Sequence, residues 1–433
     1  MKKNPGPEIV SARLRNGLEV RLKPVHTAPL ISHAVWYRVG SRNERAGKTG
    51  VSHWVEHMQF KGTPTFPAGV LDKAISRDGG YWNAGTWIDW TYYYEVMPAD
   101  RIDLALRLEA DRMVNSAFDP AEVDSERTVI ISERQGQEND PGFRLSEEVQ
   151  AAAFRVHSYH HEVIGDMADL ETMSRDDLYQ HYTTHYVPSN AVLAVCGDFS
   201  PTPMLKRIRE LFGDLPRSSR PQTHIRQEPE QPGERRVNVV GPDTTPILEV
   251  AYHAPKGDDP DFPALAVLDS ILAGASSLGP SANSISNKTS RLYRALVQGG
   301  IAAAVSGGLV ATIDPYLYSI RAMIRPGETP ERALDAIDAE VERAVQDSVE
   351  AVEVSKAIKQ AKAIFAYDSE SISGQGFWLG YSEMFADYSW FDTFLDRISA
   401  VQASDVLRVA RRLLVPEKRV VGMYRPEAEA AHG

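Results

Sequence analysis

The spacing of apolar residues divides the chain into two runs of elements separated by a polar stretch. In the first run, residues 8–13 and 17–23 read as short strands either side of the turn Arg15-Asn16-Gly17. Leu30–Val39 reads as a longer strand ending at Gly40, and residues 50–61 as a helix after Gly47–Gly50. Phe66–Arg77 has helical spacing and is closed by Asp78-Gly79-Gly80. Tyr81–Thr86 and Trp90–Val96, rich in aromatic and β-branched residues, predict a pair of strands. Asp100–Val114 is a predicted helix with Asp100 as its N-cap. Further helices are predicted at Pro120–Glu138, Arg144–Val156, Asp176–His185 and Pro203–Phe212, with Ala191–Cys196 as a buried strand.

Residues 217–235 are polar and proline-bearing, and read as an interdomain linker. Beyond them the order of elements repeats. Strands at 236–241 and 246–253 precede helices at 262–274 and 290–298, and strands at 301–309 and 315–324 follow. Helices at 329–347, 352–369, 374–387 and 402–413 lead to a closing strand at 419–424. Leu278–Lys288, rich in Ser, Asn and Gly, reads as a mobile loop. The expected fold is α+β (mixed α/β): two duplicated domains, residues 1–216 and 236–433, each a mostly antiparallel sheet packed with helices.

Composition narrows the function classes. A chain of 433 residues exceeds one ordinary core. Its 47 Lys and Arg against 59 Asp and Glu give a net charge of −12, which argues against a nucleic-acid partner and favours basic or neutral substrates. The lone Cys196 sits in an apolar run, so no disulfide framework is expected. No apolar stretch reaches the length of a membrane span. The opening Met-Lys-Lys-Asn-Pro-Gly-Pro lacks the apolar core of a signal peptide, so the expected compartment is the cytoplasm, or the periplasm after removal of a signal.

The chemistry concentrates in His53-Trp54-Val55-Glu56-His57. On a helix the two histidines stand one turn apart on one face, where two imidazoles can bind a single Zn²⁺. Glu56 lies near that face and suits a general base for the attacking water. A third ligand is sought on a second helix. Glu126 and Glu133, seven apart, share a face of the predicted helix 120–138, with Val129 and Ile130 between them suggesting partial burial. That gives His53, His57 and Glu133 as metal ligands and Glu126 as a carboxylate behind one of them.

These motifs, with Met58-Gln59-Phe60-Lys61-Gly62-Thr63 after the first, resemble the pitrilysin-type zinc metallopeptidases, a family that includes the mitochondrial processing peptidases. The resemblance implies one Zn²⁺ per chain, peptide substrates, and a half-molecule of two similar α/β domains that pairs to enclose a chamber. Asn83-Ala84-x-Thr86 resembles the family's substrate-binding edge strand, to which a peptide adds through backbone hydrogen bonds. Ser290-Arg291-Leu292-Tyr293 also matches, but the Arg and Tyr that follow in complete members do not. Val297 and Ala303 occupy or neighbour those positions, and neither side chain donates a hydrogen bond. The implied partner is therefore a related subunit that supplies the Arg/Tyr pair, a heterodimer rather than a homodimer. A non-catalytic assembly subunit and a self-sufficient homodimeric peptidase are the alternatives. His157, His160 and His161 are read as a solvated loop in preference to a second metal site, and Tyr92-Tyr93-Tyr94 as strand residues packing a core on one side.

Overall fold

A computed structural model describes residues 9–279, 288–347 and 349–427. Eleven strands are described: β1 (Val10–Arg13), β2 (Glu19–Pro24), β3 (Leu30–Tyr37), β4 (Tyr81–Thr86), β5 (Thr91–Pro98), β6 (Ala191–Gly197), β7 (Arg235–Gly241), β8 (Ile247–Ala254), β9 (Ala302–Leu309), β10 (Tyr316–Ile324) and β11 (Arg419–Pro426). The α-helices of the first half are α1 (Val51–Met58), α2 (Val70–Arg77), α3 (Ile102–Asn115), α4 (Pro120–Glu138), α5 (Pro141–Ala153), α6 (Met167–Thr172), α7 (Arg175–His185) and α8 (Pro201–Phe212). Those of the second half are α9 (Phe262–Leu272), α10 (Pro330–Gln346), α11 (Ala351–Asp368), α12 (Ile372–Phe385), α13 (Tyr388–Ser399) and α14 (Ala403–Leu413), with a π-helical turn at Tyr293–Gln298.

The strands form two sheets, ordered β1-β2-β6-β3-β5-β4 and β7-β11-β8-β10-β9. In the first, β2 and β6 are parallel and the other pairs antiparallel; in the second, β7 and β11 are parallel and the others antiparallel. Laid along one another, β2-β6-β3-β5-β4 and β7-β11-β8-β10-β9 have the same order of directions. The expected mixed α/β fold with a structural duplication is thus present.

Two compact units arise, and neither is contiguous in sequence. One holds the described residues up to Arg134, His161–Ile225 and Ser369–Tyr388; the other holds Gln135–His160, Arg226–Asp368 and the described residues from Ser389. The first sheet is built from residues before 217 and the second from Arg235 onward, but each is covered by a helix from the other side. Helix α12 lies on β3 and β6 in the first unit, and α5 lies on β11, β7 and β8 in the second. The fit of α12 depends on small residues: a Cβ at Gly380 would overlap Trp36, and one at Gly376 would come within 2.7 Å of Ser32 Oγ.

Boundaries differ from expectation where local hydrogen bonds intervene. Helix α2 starts at Val70, not Phe66, because Thr63 N–H donates to Phe66 O at 2.9 Å and Phe66 N–H to Thr63 Oγ1 at 2.9 Å, closing a turn. Asp100 is not the N-cap of α3: a 3-10 turn spans Ala99–Arg101 and Arg101 takes the cap position. Helix α5 starts three residues early because the Asp140 carboxylate accepts from Gly142 N–H at 2.7 Å. Helices α6 and α13 were not expected. Most of the predicted loop Leu278–Lys288 lies outside the described residues.

The second unit buries one carboxyl with little compensation. Asp269, on α9, is 2% exposed and accepts a hydrogen bond from Ser276 Oγ at 2.8 Å. Burial pushes its pKa up to about 7. The folded chain therefore holds a proton that the unfolded chain has lost above pH 4, and this contribution to stability falls away as pH rises from about 4 to about 7. Asp269→Asn, neutral at every pH, should gain stability relative to the parent across that range, with an upper bound of about 4 kcal/mol at about 1.4 kcal/mol per pKa unit. Denaturant midpoints of both proteins at pH 4.5 and 8 measure this; a difference that does not change with pH contradicts it.

Candidate metal centre

Helix α1 is only eight residues long, too short to persist on its own. Trp54, Val55 and Met58 are fully buried and fix its inner face. Its start is held by a carboxylate. Glu44 accepts from Gly50 N–H and Ser52 N–H, both at 2.8 Å, satisfying donors that the first turn leaves open. His161 Nε2 lies 2.9 Å from Glu44 Oε2. Burial alone would lower the His161 pKa, but the hydrogen bond to Glu44 and its charge raise it instead. Gly50 has φ +85°, and a Cβ there would overlap the Ile164 carbonyl, so the segment after His161 packs directly on the helix start.

His53 and His57 stand on one face of α1 with ring centroids 4.6 Å apart. Glu133, on α4, brings its Oε2 to 3.9 Å from His53 Nε2 and 3.7 Å from His57 Nε2. The three residues form a group whose donor atoms all lie within 4.8 Å of one another. Two ligand atoms on a tetrahedral ion at ordinary zinc bond lengths lie roughly 3.3 Å apart. The observed spacing fits a metal after small side-chain adjustments. The donor chemistry fits too. Burial first, and then His57, lowers the His53 pKa to about 3, so its imidazole is neutral. His57 Nδ1 lies 2.8 Å from Glu126 Oε1, so Nδ1–H donates to that carboxylate, and Nε2 is the ring nitrogen on the Glu133 side that a metal would meet.

Glu126 is buried and also pairs with Lys61. Burial alone would raise its pKa, but the hydrogen bonds from Lys61 and His57 hold it below the usual range. Of its two neighbours on α4, one is buried as expected and one is not. Ile130 is fully buried, whereas Val129 is 43% exposed. The inward stripe is Val123, Glu126, Ile130 and Arg134, and Val129 falls outside it. Arg127 ties α4 in place: its guanidinium lies 4.7 Å from the Trp54 ring centroid, and it donates to Leu170 O at 2.7 Å and Met173 O at 2.8 Å.

Glu56 points to the sheet. Thr86 Oγ1, at the end of β4, donates to Glu56 Oε2 at 2.7 Å. Burial pushes the Glu56 carboxyl above the usual range, although Thr86 and His57 oppose this. Asn83 and Ala84 lie on the same strand, at the edge of the sheet. Trp87 N–H bonds Trp90 O, so by alternation residues 81, 83 and 85 direct their backbone groups at β5. Residues 82, 84 and 86 then face the free edge. Ala84 N–H agrees: it takes only the Asn83 side-chain oxygen, at 2.9 Å.

The structure corrects the histidine-rich loop in part. His160 is exposed, as expected, but His157 is 4% and His161 6% exposed, so those two are not solvated. His157 Nε2 lies 3.1 Å from Asp314 Oδ2, and His161 serves Glu44 as described. The tyrosine run packs on both faces: Tyr93 is buried beneath Arg112, whose guanidinium lies 4.2 Å from its ring centroid, while Tyr92 stacks on Trp36 at 4.3 Å. Sequence reasoning passed over Glu44, and it gave Thr86, Lys61 and His161 no part in this site. Lys61 carried a usable signal, lying four residues after His57.

Two family models match the chain: one described as "Insulinase (Peptidase family M16)" over residues 20–167, the other as "Peptidase M16 inactive domain" over residues 172–361. The zinc protease PqqE of Helicobacter pylori is 29% identical over 421 residues, covering 93% of this chain and 90% of that protein. The probable mitochondrial-processing peptidase subunit beta of Arabidopsis thaliana is 30% identical over 271 residues, 61% of this chain and 50% of that protein. The crystal structure of a protease from Helicobacter pylori superposes with a TM-score of 0.90 at 26% identity, covering 97% of this chain and all of that one. With the two models spanning most of its length, the chain belongs to peptidase family M16, the insulinase or pitrilysin family.

Proposed function

We propose that this chain is the zinc-bearing subunit of an endopeptidase that hydrolyses peptides or small unfolded polypeptides in a chamber formed with a related partner. The observation that carries this reading is the convergence of His53, His57 and Glu133, from two helices, beside a buried Glu56 on the same helix as the histidines. His53, His57 and Glu133 would hold the ion, with Glu126 orienting His57 from behind. Zinc held there supplies Lewis acidity toward water and a peptide carbonyl. Glu56 takes the proton of the attacking water and passes it to the leaving amine. Thr86 fixes one Glu56 oxygen and leaves the other to handle the proton. The names of the Helicobacter pylori and Arabidopsis relatives support the reaction class.

The second half favours a different partner over a second copy of this chain. Val297 is half-buried in the π-helical turn and Ala303 is exposed on β9; neither carries a donor. Arg291 is committed elsewhere, with Nε and Nη2 on the two Glu353 oxygens at 2.9 and 2.6 Å. A developing oxyanion on the far side of the substrate would then need donors from outside this chain.

Three outcomes are expected. Zinc analysis of purified protein should give about one ion per chain in the parent and in Glu56→Gln, and much less in His53→Ala or Glu133→Gln; a folded Glu56→Gln lacking zinc would mean the roles are misassigned. Ala84→Pro removes an edge N–H. It should weaken binding of a labelled peptide to zinc-loaded Glu56→Gln protein at unchanged zinc content, and equal affinity would remove the edge strand from the reading. The chain alone should hydrolyse a quenched fluorescent peptide poorly, with a related Arg- and Tyr-bearing subunit raising the rate by about 10²–10³. Full activity from the chain alone, or a partner whose Arg and Tyr are dispensable, would refute the shared site.

A further inference from the structure

On the face of the first sheet opposite α1, a pocket of about 210 Å³ opens between β4, β5, β3 and the first turns of α12. Tyr81, Tyr92, Tyr94 and Phe377 supply four aromatic walls, and Ser32 and Ser373 the small polar edges; no charged side chain lines it. The walls brace one another. Tyr92 and Tyr94 stack at 5.2 Å, Tyr81 meets Tyr94 edge-on at 6.1 Å, and Phe377 meets Tyr92 edge-on at 5.8 Å. Tyr81, the lining residue on the outermost strand, is 52% exposed, and its hydroxyl lies 3.5 Å from Ser373 Oγ.

We propose that this pocket receives one large apolar side chain of a peptide paired along the outer edge of β4. The proposal rests on the edge-strand reading above and adds a specificity site to it. A strand added beside β4 sends alternate side chains to the two faces of the sheet. One set falls on the face of α1 and Thr86. The other falls on the face of Tyr81 and Asn83, where diagonal cross-strand neighbours about 7–8 Å apart remain within reach of an aromatic side chain. Tyr81 is five residues from Thr86, a rise of roughly 17 Å at about 3.4 Å per residue, so the occupant lies about three to five residues from the bond near Glu56. The pocket volume accommodates a Phe, Tyr or Trp side chain. Rings on four sides select an apolar group, because a charge placed there would lose its water without gaining a partner.

The test reads binding, so it does not depend on turnover. Zinc-loaded Glu56→Gln protein is titrated with fluorescein-labelled ten-residue peptides of Ala, Ser and Thr in which one Phe is moved through every position. Anisotropy should show one Phe position that tightens binding about tenfold or more relative to Ala. In Ser373→Trp, whose indole fills the pocket, and in Tyr81→Ala, which removes a wall, that Phe advantage should shrink toward zero. Advantage at no position, or an advantage that survives both variants, overturns the pocket while leaving the edge reading intact if Ala84→Pro still weakens every peptide alike. Loss of sensitivity to Ala84→Pro, or no binding at all, overturns both.

Discussion

Everything at the candidate metal centre depends on an eight-residue helix holding still. A helix of that length does not pay its own nucleation cost. Here its inner face is locked by Trp54, Val55 and Met58, and its open N–H groups are taken by one carboxylate, Glu44. A carboxylate at a helix start also meets the favourable end of the helix dipole. The arrangement needs a counterpart for a buried charge, and His161 provides it. Two imidazoles one turn apart keep their spacing only as long as the turn between them is rigid, so these distant contacts set the separation of His53 and His57.

The duplicated sheets show how one topology serves two purposes. Strands β4 and β9 occupy corresponding edges. Strand β4 carries Thr86, with Glu56 and the three-donor group beside it; β9 carries small residues, Ala302 to Ala304 and Gly307–Gly308, and follows a π-helical turn. The reciprocal helices α5 and α12 explain why such a division can persist. Each half completes the other's sheet, so neither half can drift far in sequence without exposing apolar surface on its counterpart.

Much of the fold could be read from the chain because its strands and helices have strong local periods. Pro120–Glu138 and the buried strand at Ala191 emerge as expected because a proline start and an unbroken apolar run are local signals. What was not legible was long-range. Nothing near residues 372–385 or 141–153 says that these helices cover the opposite sheet; their glycine and leucine patterns are only generically apolar. The donor group at His53, His57 and Glu133 was legible because two of its members are four apart and the third sits on a strongly helical segment. Glu44 and Thr86 were not: Glu44 acts through bonds to Gly50, Ser52 and His161, and Thr86 through one bond to Glu56, and all of these form only when the chain has folded. The histidine-rich loop misled for the same reason, since its burial comes from partners at positions 44 and 314.

Strand β4 carries the tightest set of demands in the first unit, and its sequence reflects them. Thr86 must face α1, because its hydroxyl fixes Glu56. Alternation then puts Ala84 and Trp82 on the same face, and Trp82 is held there by the Arg112 guanidinium at 5.4 Å and by a 2.7 Å hydrogen bond to Asp72. On the opposite face Gly85 lies against Tyr92, where a Cβ would come within 3.0 Å of the ring. A larger residue at 85 would displace the Tyr92–Tyr94 stack and, through the strand, the end that carries Thr86. Small residues at 84 and 85 thus leave the edge open to another backbone and let an aromatic layer form on one face while the other face serves a carboxylate. The strand is short, but it couples the geometry of Glu56 to the packing of the far side of the sheet.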